Sequence, residues 1–168
     1  MIAKSYIEAN LKELDRRFRN ARTQKEPLYF SKLAVLELCG WVEISIDDLV
    51  CRAVRRKVKD ARKFETFSTK LVRNNYGFHY ERNFRKLLCS AIGEIHVADI
   101  ELNMDQLKRQ QLESELNTLS SNRNSLAHTY LKGVTQQVDA PSRTLSRFHL
   151  TYAGLKEFEK EVFQRIGS

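Results

Sequence analysis

Six apolar residues in the first third of the chain set the fold class. Val35, Leu38, Val42, Ile46, Leu49 and Ala53 recur at alternating steps of three and four, the spacing that keeps side chains on one face of an α-helix. The pattern predicts one long helix over about 28–62, entered just after Pro27, which lacks the backbone donor that a helix interior needs. Such a stripe has to be covered by other elements, and the rest of the chain supplies similar ones.

Ile2, Tyr6, Ile7, Leu11, Leu14 and Phe18 predict a first amphipathic helix to about residue 22, with Arg16, Arg17, Arg19 and Arg22 on its outer side. Phe64, Phe67, Leu71 and Val72 suit a short helix, and residues 73–80 read as a loop punctuated by Gly77. A further helix over 83–100 would bury Phe84, Leu87, Leu88, Ala91, Ile92 and Ile95. Asp105 opens another long helix, ending near Tyr130 with Gly133 as its terminator. Residues 132–150 contain Pro141 and little periodicity, which predicts an extended connection with a short strand over 145–150. Thr151 would then cap a last helix over 152–166, burying Leu155, Phe158, Val162 and Ile166. Six Gly and two Pro in 168 residues are too few for the many turns of a β-sandwich or barrel. The expectation is a single all-α domain over 1–168, a bundle of about five helices with a short extended segment before the last.

Composition removes several classes of function. No apolar run approaches the roughly 20 residues that cross a bilayer, and the first 18 residues lack an apolar signal core, so a cytoplasmic protein without a membrane partner is expected. Cys39, Cys51 and Cys89 form no CxxC pair, and His79, His96, His128 and His149 show no HExxH spacing. Neither a disulfide framework nor a metal site follows, and the cysteines read as small core residues. No Gly-rich phosphate loop, dinucleotide fingerprint or GxSxG elbow is present, so no cofactor is expected.

The charge is more informative. Lys and Arg number 29 against 21 Asp and Glu, for a net +8. Residues 50–90 hold 12 of the cations and only 3 of the acids, while the rest of the chain holds 17 and 18. The whole basic excess therefore sits in one stretch and points to a polyanion. The RNA-binding candidates are Arg52, Arg55, Arg56, Lys59 and Arg62, with Arg73, Arg82 and Arg85 further on. Lys57, Lys63, Lys70 and Lys86 add to the same run. Tyr76, Phe78, His79, Tyr80 and Phe84 interleave with these cations and could stack on bases, although as a group they suit a small apolar cluster better.

One constellation carries candidate chemistry. Leu112, Leu116, Leu119, Leu126 and Tyr130 follow a heptad-like spacing whose missing member is Arg123, so a guanidinium interrupts an apolar stripe. A long side chain snorkelling out of the seam is one reading, and a functional group held in a cleft is the other. Asn124 and His128 follow, four residues apart and on one face of a helix. On the long helix predicted over about 28–62, Glu43 and Asp47 are likewise four apart. They could hold Arg123 or tune His128, the plainer reading being solvated helix charges.

Arg123, Asn124, three intervening residues and His128 resemble the Arg-x4-6-His signature of the HEPN superfamily, in which a polar residue commonly follows the arginine. The bare spacing occurs three times, also at Arg73–His79 and Arg143–His149. Gly77 interrupts any helix in the first of these, and the second falls in the expected Pro-containing connection. The resemblance implies metal-independent endoribonuclease activity, usually in a toxin or effector of a toxin–antitoxin or anti-phage system. It also implies a homodimer, because HEPN ribonucleases typically build the site from two protomers, and a possible cognate antitoxin as partner. In that chemistry His128 is the general acid or base, Arg123 stabilises the phosphoryl oxygens and Asn124 orients the phosphate or the imidazole. Two other readings stand beside it: a catalytically inactive HEPN-like module for RNA or nucleotide binding or dimerisation, and an unrelated helical adaptor using its basic face.

Overall fold

The stripe from Val35 to Ala53 forms one 32-residue helix, α2 (Glu26–Lys57), with all six stripe residues buried. Pro27 sits in its first turn, where a missing N–H costs nothing. The computed structural model describes residues 1–127 and 138–167.

The three other long helices pack against α2. The first, α1 (Ser5–Arg19), runs antiparallel to it. The Trp41 indole N–H donates to the Ala3 carbonyl at 2.8 Å, while Asn10 lies further back along α2, near Glu37 at 3.5 Å. The last, α7 (Pro141–Gly167), runs parallel to α2, with Trp41 edge-on to Phe148 at 5.1 Å and Arg52 reaching Glu159. Antiparallel to α7 lies α6 (Gln106–Ala127), tied to it by Lys108–Glu157 at 2.9 Å and Arg147–Glu115 at 2.7 Å. Gly154 permits that approach, since a Cβ there would lie 2.6 Å from Leu112 Cβ.

The chain between α2 and α6 is less regular. It passes through α3 (Ala61–Phe67), a π-helical turn (Ser68–Val72), a loop, a second π-helical turn (Tyr80–Arg85), α4 (Lys86–Ile92) and α5 (Glu94–Asn103). Asp60 caps α3, its carboxylate accepting from the Arg62 and Lys63 N–H groups at 2.9 and 3.1 Å. Phe78, Tyr80 and Phe84 are each about 1% exposed and join the main core, with Phe84 edge-on to Phe158 at 5.0 Å.

Among the described residues the fold is all-α, with no strand, and has seven α-helices where about five were expected. Two expectations are corrected. The single helix over 83–100 is broken at Gly93, whose φ of +93° lies in the left-handed region that glycine tolerates. Past that turn Ile95 faces outward, 78% exposed, rather than into the core. The second correction concerns 145–150, which is neither extended nor a strand but part of α7. That helix starts at Pro141, and Thr151 lies inside it, its hydroxyl donating to the Arg147 carbonyl at 2.8 Å. Its buried face is Pro141, Thr144, Phe148, Thr151, Leu155, Phe158, Val162 and Ile166. Two of the first four are threonines, so the stripe is real but its N-terminal half does not read as apolar.

Candidate active site

Leu112, Leu116, Leu119 and Leu126 are buried along α6, and Arg123 fills the gap in their series. Its Nη2 meets Glu43 Oε1 of α2 at 3.1 Å, with the two side chains 38% and 30% exposed. The guanidinium is thus neither loose in solvent nor enclosed. A carboxylate on the facing helix holds it at the rim of the α2–α6 seam. One turn earlier on each helix the Cys39 thiol donates to the Leu119 carbonyl at 3.7 Å, which anchors the seam below the ion pair.

One turn beyond Glu43, Asp47 is also half-buried. Burial pushes its carboxyl up to about 6, and the charge of Glu43 adds to the shift. Such an acid holds its proton in the folded state where the unfolded chain has released it. Stability therefore falls as pH rises from the ordinary aspartate range through about 6. Asp47→Asn is expected to remove that loss. Relative to wild type, the variant gains stability at pH 7 and not at pH 3.5, as read from urea unfolding at both values.

Asn124 is exposed on α6, and His128 lies outside the described residues, as do Tyr130 and Gly133. The structure therefore brings Arg123 and Glu43 together, with Asp47 one turn away. Of the two other Arg–His spacings, Arg73–His79 does fall in a loop around Gly77. Arg143–His149 lies in α7, not in an extended connection, so helical setting does not set Arg123 apart from Arg143. What does is its neighbour: Arg123 is held by another helix, whereas Arg143 pairs at 3.5 Å with Asp139, just upstream.

The cations of residues 50–90 divide into two groups. Arg52 binds Glu159 of α7 at 2.7 Å and Asp48 at 2.7 Å. Arg85 is spanned by Glu81, Glu94 and the buried Glu101. Arg55 lies over the Phe64 ring at 4.3 Å and Arg56 over Phe163 at 4.4 Å, their charged ends still accessible. Lys59, Arg62, Arg73 and Arg82 are exposed and make no ion pair among the described residues. Glu159 was not legible in advance. It sits on α7 beside the apolar stripe, and only packing turns it into the partner of Arg52.

Glu159 is buried and also accepts from Lys156 and from the Ile2 N–H at 2.9 Å. Burial alone would raise its carboxyl, but Lys156 and Arg52 outweigh that and hold it down at about 2. Arg52→Ala leaves this carboxylate short of a donor and is expected to cost about 1–3 kcal/mol. The loss should show as a lower urea midpoint, an outcome that a purely RNA-facing arginine would not give.

Burial first, and then Glu43, raises the Cys39 thiol to about 12, and burial raises Cys89 to about 11. Both thiols stay protonated at neutral pH, unsuited to nucleophilic attack. Among the described residues no cluster of His, Cys, Asp and Glu is arranged to hold a metal, and no helix is long and apolar enough to cross a membrane. No protein-family model, curated protein or solved structure matches the chain.

Proposed function

We propose that the chain is a metal-independent, HEPN-type endoribonuclease that acts as a homodimer, in the setting of a toxin–antitoxin or anti-phage system. The observation that carries this reading is the Arg123–Glu43 pair: a guanidinium positioned by a second helix, at the rim of a seam, five residues before His128. Glu43 engages one amino group and holds the side chain in place, which suits a cation that has to meet a phosphate in a fixed orientation. The basic excess of residues 50–90 supplies a polyanion-binding surface of the right sign.

In the reaction the ribose 2′-OH attacks the adjacent phosphorus, and the bond to the 5′-oxygen breaks. The products are a 2′,3′-cyclic phosphate and a 5′-OH. His128 carries a proton for this exchange, and Arg123 offsets the charge that builds on the phosphoryl oxygens. Asn124, exposed beside Arg123, orients the phosphate or the imidazole, and a second protomer contributes its own copy of the motif across the two-fold axis. A cognate antitoxin would be the partner that silences it.

The test is incubation of the purified protein with RNA in EDTA. Cleavage leaving 2′,3′-cyclic phosphate ends supports the reading, and RNA that stays intact at high protein concentration sinks it. A second reading, an inactive RNA- or nucleotide-binding or dimerisation module, draws on the same ion pair, because Glu43 already offsets part of the Arg123 charge. Intact RNA together with measurable RNA binding favours it.

A further inference from the structure

A groove of about 370 Å³ opens between the π-helical turn Ser68–Val72, the loop after it and the start of α4. None of its lining residues belongs to the Arg123 seam. Three of them are cations: Lys70, Arg82 and Lys86. No Asp or Glu lines it. All three side chains are exposed and make no ion pair among the described residues, in contrast to Arg52 and Arg85 of the same basic stretch. Uncompensated charge around a concavity, rather than on a convex helix face, concentrates an anionic ligand there.

The loop forming one wall is fastened in place. The Asn83 side-chain amide donates to Asn75 Oδ1 and to the Tyr76 carbonyl, both at 3.2 Å. The Asn75 amide donates in turn to the Gly77 carbonyl at 3.4 Å. Gly77 turns the chain at a φ of +109°. These bonds hold up Tyr76, which is 83% exposed, while Phe78, Tyr80 and Phe84 close by in sequence are buried. A tyrosine ring left in water beside three unpaired cations has no role in the core. Its face is available for stacking.

We infer that this groove binds single-stranded RNA, with the backbone phosphate on Lys70, Arg82 and Lys86 and an unstacked base on Tyr76. Cations around a concavity recognise phosphate, and an exposed ring beside them adds a preference for nucleic acid over other polyanions. The groove has room for about one nucleotide, at the small end of the range for ligand pockets. The ligand class rests on the RNA reading above, but the groove requires no cleavage. It is a holding site away from the Arg123–Glu43 pair, which would fix the register of the strand.

The experiment is fluorescence anisotropy with a labelled single-stranded RNA 12-mer over a salt series, on folded protein checked by circular dichroism. Arg82→Ala/Lys86→Ala is expected to weaken binding at least 10-fold and to lower the salt slope by about 1.4, the value for two contacts to single-stranded phosphates. Tyr76→Ala should weaken it about 10-fold and leave the slope unchanged. Lys12→Ala, at an exposed cation on α1 outside the groove, should bind as wild type does. Unchanged binding by either groove variant overturns the proposal, even if the protein cleaves RNA. Groove-dependent binding by a protein that leaves RNA intact upholds it while the nuclease reading falls.

Discussion

Arg123→Ala is expected to lower RNA cleavage by two to three orders of magnitude, the usual cost of removing one fixed group that meets developing charge on a transition state. The fold should survive. The side chain is 38% exposed and Glu43 is 30% exposed, and an ion pair that open to water is worth no more than about 1 kcal/mol. A stability role and a catalytic role therefore separate cleanly. A structural Arg123 would move the urea midpoint slightly and cleavage in proportion, whereas a catalytic one removes cleavage at an almost unchanged midpoint. Arg123→Lys keeps the charge but loses the planar fork, and it should recover only a small part of the rate. Glu43→Gln keeps an acceptor near the guanidinium without the charge. As a positioning residue, Glu43 should give a variant with activity between wild type and Arg123→Ala. Normal cleavage by Arg123→Ala would remove the residue from the mechanism.

Gly154→Ala is expected to destabilise the fold through the addition of a single methyl group. In an open helix the substitution would help by about 1 kcal/mol, because glycine is the more flexible residue when unfolded. Here the added methyl would sit 2.6 Å from Leu112 Cβ, and Leu112 is fully buried. That atom is fixed to the α6 backbone, so the clash is relieved only by moving α6 and α7 apart. The two helices are also held by Lys108–Glu157 and Arg147–Glu115 on either side of the contact. Overpacking of this kind costs typically about 1–3 kcal/mol, which in a chain of this size lowers Tm by several degrees. An equal or higher midpoint for Gly154→Ala would mean that α6 and α7 do not approach closely at Gly154.

The same two sites show how far the chain could be read without its fold. The α2 stripe was legible because all six of its members are apolar and the period survives over 19 positions from Val35 to Ala53. The start of α7 was not, because Thr144 and Thr151 take two of its buried positions, and a threonine in a stripe reads as a turn or a cap. Gly93 likewise lies inside the run predicted as one helix over 83–100, which its positive φ divides in two. Arg123 stands out in the sequence as a charge in a leucine series, with Glu43 and Asp47 as candidate partners, but nothing local chooses between those carboxylates and water.

Local periodicity, then, fixed what depends on neighbours along the chain: that the protein is helical, where α2 and α6 run, and which arginine interrupts an apolar face. Pairings between distant residues were settled only when the helices packed. Glu43 took Arg123, Glu159 took Arg52, and Glu101 took Arg85. A carboxylate and a guanidinium carry no mark of their partner, and each search over the sequence has many equivalent answers. Burial selects among them, because a charge taken out of water has to be met by an opposite one at hydrogen-bond distance. That selection also recast the basic stretch. It spent Arg52 and Arg85 inside the fold and left Lys70, Arg82 and Lys86 around a groove with Tyr76 beside them.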